Sequence, residues 1–316
     1  MVIKVENLVK RYDGLIALDH FSLEVREGEI FGLLGPNGSG KTTAINCILS
    51  LLKYDKGTIE VYGRPMTPDA YDIKRNIGII MQNVALFDEL TVYENIDYFC
   101  GLYIPDRKKR KELVEEAIDF VELNKFRNFL PKKLSGGLLR RLNIACGIAH
   151  KPSLIILDEP TVAVDPQSRK KILEGIKELN KNGATVVYTS HYMEEVEEIC
   201  TRIAIMDKGK VIALGTKDEL KGMIHSGEKV TIEIFDYSSN ILEEVRSIPH
   251  IITAEYTDNL LVARFSKGKN NLGVLLDYLR SRQIETGRIY SEPPTLNDVF
   301  LEITGKELRD YAKGVQ

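Results

Sequence analysis

Nine consecutive residues, Gly35-Pro36-Asn37-Gly38-Ser39-Gly40-Lys41-Thr42-Thr43, combine glycines, a lysine and paired hydroxyls in the spacing GxxxxGK[ST]. Glycines let a backbone curl until successive N–H groups converge on one anion, and a helix start adds the positive end of its dipole. Lys41 can then reach the β- and γ-phosphates of a nucleotide, and the Thr42 hydroxyl can ligate Mg²⁺. A second group, Leu154-Ile155-Ile156-Leu157-Asp158-Glu159, is an apolar run that ends in two carboxylates. Ligands gather at the carboxyl ends of strands in open α/β sheets, so Asp158 belongs near the metal. Glu159 is then placed to orient and polarise an attacking water. The chemistry these groups point to is phosphoryl transfer.

Such groups work only if strands and helices hold them. Glu29–Leu34 reads as a short apolar strand before the phosphate loop, and Thr42–Leu52 as the helix after it. Val2–Val9 and Phe21–Val25 read as antiparallel strands joined through an Asp13-Gly14 turn region. Gly57–Tyr62 and Ile77–Met81 are further strands, and a helix-rich stretch runs from Thr91 to His150. Leu154–Leu157 and Thr185–Ser190 are near-continuous apolar strands separated by a helix, the pattern of a parallel sheet buried on both faces. Ile203–Asp207 and Lys210–Leu214 flank a Lys208-Gly209 hairpin turn.

After Gly222 the pattern changes. Strands at Lys229–Phe235, Ile251–Tyr256, Leu260–Phe265 and Thr286–Tyr290 alternate with helices at Asn240–Ser247 and Asn271–Arg282. The order βαββαβ is the split-βαβ arrangement, which predicts a ferredoxin-like α+β appendage. A last helix, Leu296–Thr304, starts at the capping signal Thr295-Leu296-Asn297-Asp298.

With 316 residues and 43% apolar content the chain is long enough for one large and one small unit. The net charge is −3, divided as −1 up to Leu220 and −2 beyond it, so no basic field invites nucleic acid. Cys47, Cys100, Cys146 and Cys200 lack metal-ligand spacing. No apolar run approaches the length of a membrane span, and the N-terminus reads as a strand with no signal-peptide core.

Leu134-Ser135-Gly136-Gly137 lies 23 residues before Asp158. In this order with the phosphate loop and Leu157-Asp158-Glu159-Pro160, it resembles the ATP-binding-cassette (ABC) ATPases over roughly residues 2–220. The resemblance implies a P-loop NTPase core with an antiparallel β subdomain and a helical subdomain at about 88–150. The cassette is expected over 1–220, which leaves 222–316 as an accessory, regulatory domain with no visible catalytic cluster. Tyr12 matches the aromatic that stacks on adenine; Gln82, ending a strand, matches the Q-loop glutamine; Asp165 matches the aspartate of the D-loop, and His191 the switch histidine. Each has a plainer reading as well: Asp165-Pro166 is a good helix start, and His191 is placed to cap the helix near Met193.

The implied site takes ATP and Mg²⁺. Glu159, His191, Lys41 and Gln82 would act in catalysis, and Thr42, Gln82 and Asp158 would hold the metal. Tyr12, residues 35–43, Ser135, Gly136, Gly137 and Asp165 would bind nucleotide. The resemblance further implies a head-to-tail dimer, with Ser135 and Gly137 of one chain closing on the γ-phosphate held by the other. Two departures stand out: Leu138-Leu139 follows the signature where the family usually has a glutamine or a Met-Lys pair before the arginines, and the D-loop reads Val162-Ala163-Val164-Asp165 rather than the commoner Ser-Ala-Leu-Asp. Thr189-Ser190-His191-Tyr192-Met193-Glu194-Glu195 and Pro294-Thr295-Leu296-Asn297-Asp298-Val299-Phe300-Leu301 look like the daunorubicin-resistance, ABC-2 type drug-export branch.

A cassette without a membrane span needs a partner if it transports anything, and the resemblance implies a separate membrane-embedded permease. That would place the chain peripherally on the cytoplasmic face of the cell membrane. Asn83-Val84-Ala85-Leu86-Phe87-Asp88-Glu89-Leu90 is then the expected floor of the permease groove, with core residues of a connecting loop as the plainer reading of Val84, Ala85, Leu86 and Phe87. Arg107-Lys108-Lys109-Arg110-Lys111 offers charge to anionic lipid headgroups, but flanked by Asp106 and Glu112 it reads better as a solvated helix start. An importer ATPase and a soluble, non-transport cassette ATPase remain open alternatives. No nucleic-acid partner is expected.

Overall fold

The computed structural model describes residues 1–235, 239–268 and 271–305. The expected accessory segment therefore ends outside the described residues at 306–316. Two compact units divide the chain, Met1–Lys217 and Asp218–Gln316.

In the first unit the strands are β1 (Ile3–Tyr12), β2 (Leu15–Val25), β3 (Ile30–Leu34), β4 (Lys56–Val61), β5 (Arg64–Pro65), β6 (Ile77–Ile80), β7 (Leu154–Asp158), β8 (Thr185–Ser190), β9 (Arg202–Asp207) and β10 (Lys210–Gly215). Among the described residues they form an antiparallel sheet, β2-β1-β4-β5, and a six-stranded sheet, β10-β9-β3-β8-β7-β6. In the latter, β9, β3, β8, β7 and β6 run parallel and β10 closes the edge antiparallel. Every residue of β3, β7 and β8 is buried, which explains their largely apolar sequences, interrupted by Asp158 in β7 and by Thr185, Thr189 and Ser190 in β8.

The hairpin strands run further than their apolar alternation suggests. β1 reaches Tyr12 and β2 starts at Leu15, with Tyr12 paired to Leu15. Asp13 (φ 36°) and Gly14 (φ 93°) make the two-residue turn, whose twist suits the strands it joins. Lys208-Gly209 has the same two positive φ values, 44° and 78°. The helix after the phosphate loop is shorter than expected, Lys41–Ile48, because Ser50 adopts φ 53° and turns the chain. Helices Val92–Gly101, Arg107–Phe120 and Gly136–Ile148 fill the helix-rich stretch.

The second unit holds β11 (Ser226–Ile234), β12 (Ile251–Thr257), β13 (Leu260–Ser266) and β14 (Thr286–Glu292), in the order β12-β13-β11-β14. All its pairings are antiparallel, and helices Ser239–Arg246 and Asn271–Ser281 supply the two crossovers. This is the split-βαβ order. Its core joins Val230, Ile232, Ala263 and Phe265 of the sheet to Val245, Leu275 and Leu279 of the helices.

Candidate active site

Strands β3, β8, β7 and β6 are adjacent and parallel, so their carboxyl ends share one edge. From these ends leave the phosphate loop, His191, Glu159 and Gln82 respectively. The fold thus assembles the expected residues by topology alone.

The phosphate loop ends at Gly40, which sits at φ 105° where the helix begins. A Cβ there would lie 2.6 Å from the Ala17 carbonyl oxygen, so both the backbone angle and the space demand glycine. Lys41 is folded back over the loop, donating to the Gly35 oxygen at 2.7 Å and the Pro36 oxygen at 3.2 Å. Its Nζ also stands 3.1 Å from Glu159 Oε1. Thr42 donates its hydroxyl to Asp158 Oδ2 at 2.9 Å, while Thr189 donates to Asp158 Oδ1 at 2.6 Å. Asp158 is fully buried with both oxygens directed by hydroxyls.

Glu159 is the meeting point. Gln82 Nε2 donates to its Oε2 at 3.4 Å, and His191 Nδ1 lies 3.3 Å from the same oxygen, out of line for a hydrogen bond. Its own N–H is held by Thr189 Oγ1 at 3.0 Å, and its backbone adopts φ 48°. Burial raises the pKa of the Glu159 carboxyl, but the His191 contact and the Lys41 charge outweigh it and hold the group below its ordinary value. An ionised carboxylate beside two donors suits a water to be oriented for attack.

Tyr12, Leu15 and Ile16 are exposed at the hairpin tip and line one wall of a cleft of about 450 Å³. Asn37, Gly38, Gly40–Thr43, Gln82, Glu159 and Lys208 line the rest. An exposed tyrosine and apolar lip beside Lys41, Thr42 and Thr43 fits a flat base joined to phosphates. A second cleft, about 490 Å³, lies among Leu113, Phe120, Ile155 and Leu179. It shares no residue with the phosphate loop or with the carboxylates that end β7, so its lining rather than its volume separates the two.

Two expectations are corrected. β6 stops at Ile80, so Gln82 lies in the loop beyond the strand end. The helix Met193–Ile199 has Tyr192 at its cap with no side-chain bond, so His191 does not cap it. Asp165 does cap: its side chain accepts from the Ser168 N–H at 2.9 Å, with Pro166 opening the helix.

Ser135, Gly136 and Gly137 are not brought to the phosphate loop of their own chain. Ser135 caps the helix Gly136–Ile148, accepting from Leu138 N–H at 3.4 Å. A Cβ on Gly137 would lie 2.3 Å from Ser168 Oγ and 2.8 Å from Asp165 Oδ2. The signature turn therefore packs on the start of the helix Pro166–Lys181.

Arg140 is a site residue that sequence reasoning passed over. It is 4% exposed and donates five hydrogen bonds to main-chain oxygens of Met81, Gln82, Asp158, Glu159 and Pro160. One guanidinium thus fastens the signature helix to the Gln82 loop and the end of β7. Its only sequence signal was an arginine among apolar neighbours. Thr189 was also missed, hidden inside an apolar strand.

Comparison with known proteins follows the same division of the chain. A family model described as "ABC transporter" matches residues 18–162, and one described as "ATP-binding protein DrrA1-3-like, C-terminal domain" matches residues 215–304. The chain is 36% identical over 311 residues to the linearmycin resistance ATP-binding protein LnrL of Bacillus subtilis (strain 168), covering 98% of this chain and 100% of that protein. It is 32% identical over 308 residues to the daunorubicin resistance ATP-binding protein DrrA3 of Streptomyces coeruleorubidus, covering 97% of each. Among solved structures, an ATP-binding cassette in a dimeric post-hydrolysis state bound to ADP and Pi is 29% identical with a TM-score of 0.63, over 68% of this chain and 98% of that one.

Proposed function

The chain belongs to the ABC transporter ATP-binding proteins, and from that premise we propose that it hydrolyses ATP to drive export through a separate membrane permease. The observation that carries the reading is Glu159, ringed by Lys41, Gln82 and His191 at the carboxyl ends of neighbouring parallel strands. Relatives whose names describe drug resistance support export over import or a soluble role.

In this reading Tyr12 stacks on adenine, and residues 35–43 cradle the phosphates. Lys41 lies on the β- and γ-phosphates. Glu159 orients the attacking water through its ionised carboxylate, while His191 and Lys41 offset charge on the transferring phosphoryl group. Thr42 Oγ1 and Asp158 Oδ2, 2.9 Å apart, form a small hard oxygen pair that fits Mg²⁺, with the Gln82 amide nearby. Among the described residues no group of three or more His, Cys, Asp or Glu forms a cation cage, in keeping with a metal shared with phosphates. When bound, Mg²⁺ supplies neutralisation of the phosphate charge.

Ser135 and Gly137 act on the nucleotide of a second copy in a head-to-tail dimer, with Asp165 beside them at the same face. Among the described residues no helix is long and apolar enough to cross a membrane. A permease supplies the crossing, and the chain sits peripherally against it on the cytoplasmic face. Val84 and Phe87, both exposed, belong to the docking surface.

The test is steady-state ATP turnover by the purified chain beside Glu159→Gln. Removing the water-orienting carboxylate lowers turnover by about 100-fold or more with ATP binding retained. Unchanged turnover in Glu159→Gln would assign the chemistry elsewhere.

A further inference from the structure

Glu195 takes no part in the chemistry above, yet it is 3% exposed and draws partners from several segments of the site. Its Oε2 accepts hydrogen bonds from Tyr188 Oη at 2.7 Å, Thr161 Oγ1 at 2.8 Å and Ser190 Oγ at 3.1 Å. Hydroxyl donors to an ionised oxygen are the stronger kind of hydrogen bond. Thr161 stands two residues beyond Glu159, and Ser190 immediately precedes His191. One carboxylate therefore ties the strand end that launches His191 to the turn that leaves the catalytic carboxylate.

The other oxygen faces Arg169, whose Nε is 3.3 Å away. The pair is out of line, and neither Glu195 Oε1 nor Arg169 Nε meets a hydrogen-bond partner among the described residues. The Arg169 guanidinium instead lies over the Tyr192 ring at 4.7 Å, and that ring is centred 4.1 Å from His191. The Tyr192 N–H donates to Ser190 Oγ at 2.9 Å. Glu195 and Arg169 thus enclose the Ser190–Tyr192 segment from two sides. A buried ion pair adds little to stability against apolar packing of the same volume. What this arrangement supplies is orientation.

We propose that Glu195 is a positioning residue, fixing the Ser190–Tyr192 segment so that the His191 ring stays 3.3 Å from Glu159. The inference rests on the reading of His191 given above. Glu195→Gln keeps the shape but replaces one carboxylate oxygen by an amide and removes the charge facing Arg169.

The experiment uses the full chain labelled at its five histidines, with ATP turnover measured on the same preparations. In Glu195→Gln the His191 ring resonances shift or broaden, whereas those of His20, His150, His225 and His250 stay in place. kcat falls about 10-fold while KM for ATP stays within about 2-fold, the pattern of a misplaced group and not of lost binding. A His191 resonance that does not move, or all five moving together, overturns the proposal, as does an unchanged kcat. His191→Ala supplies the assignment and separates the two readings: wild-type turnover in His191→Ala ends the role of the histidine itself, while the resonances still decide whether Glu195 positions it. Should Glu195→Gln not fold, Ser190→Ala removes the hydroxyl that donates to Glu195 and accepts from the Tyr192 N–H, and carries the same predictions at smaller amplitude.

Discussion

Lys41 Nζ and Glu159 Oε1 lie 3.1 Å apart, and their side chains are only 4% and 6% exposed. The proposed phosphate-binding cation and the proposed water-orienting carboxylate form one buried pair, so each sets the charge of the other's surroundings. Lys41→Ala therefore removes two things at once: the phosphate ligand, and part of what keeps Glu159 ionised. Equilibrium binding of a fluorescent ATP analogue should be lost in this variant. Retained tight binding would count against the phosphate-loop assignment.

Arg140 links the signature helix to the catalytic edge through five main-chain acceptors. Arg140→Met fills much of the volume but leaves those buried carbonyls without their donor. The expected loss is about 3 kcal/mol in chemical denaturation, since buried unsatisfied acceptors carry their full desolvation penalty. Turnover of the folded fraction should fall as well, because the Gln82 loop loses its tether. A variant as stable and active as the parent would make Arg140 incidental.

Gly137 is closed in by Ser168 and Asp165. Gly137→Ala forces the two helix starts apart, an overpacking expected to destabilise by about 1–3 kcal/mol. Because Ser168 Oγ and Cβ are the nearest atoms, at 2.3 Å and 2.7 Å, adding Ser168→Gly should recover part of the loss. Thermal unfolding of the single and double variants measures this coupling. Additive effects would show that the close approach does not matter.

His150 stacks on Tyr103 with ring centroids 3.9 Å apart, and burial pushes its pKa from the ordinary 6.5 down to about 4. The folded chain keeps this ring neutral while the unfolded chain protonates it. Stability is therefore full above pH 6.5, falls as pH drops through the window from 6.5 to 4, and levels off below. The shift corresponds to about 3 kcal/mol at most. His150→Phe retains the stacking and removes the titration, so the difference in unfolding free energy between parent and variant should grow with falling pH in that window. A difference independent of pH would contradict it.

Much of this was legible in the residues. The phosphate loop is contiguous, and Leu154–Glu159 announces both its strand and its carboxylates. Positive-φ turns at Asp13-Gly14 and Lys208-Gly209 declare themselves by composition. The order of strands in the second unit followed from βαββαβ. What stayed hidden depends on contacts between distant segments. Arg140 gathers carbonyls from positions 18 to 59 residues away, and carbonyl direction has no sequence signature. Thr189 and Glu195 face inward from an apolar strand and an acidic helix, where period alone cannot tell a buried polar group from a solvated one. Strand lengths were underestimated at β1 and β2 because their outer ends are exposed and lose the alternation.

The most direct test of the composite site is the size of Glu159→Gln in solution. Light scattering after gel filtration, with ATP and Mg²⁺, should find a dimer that reverts to monomer when nucleotide is removed, and adding Ser135→Arg should abolish the dimer. A Glu159→Gln chain that stays monomeric with ATP and Mg²⁺ bound would contradict closure of Ser135 and Gly137 on the nucleotide of a second copy.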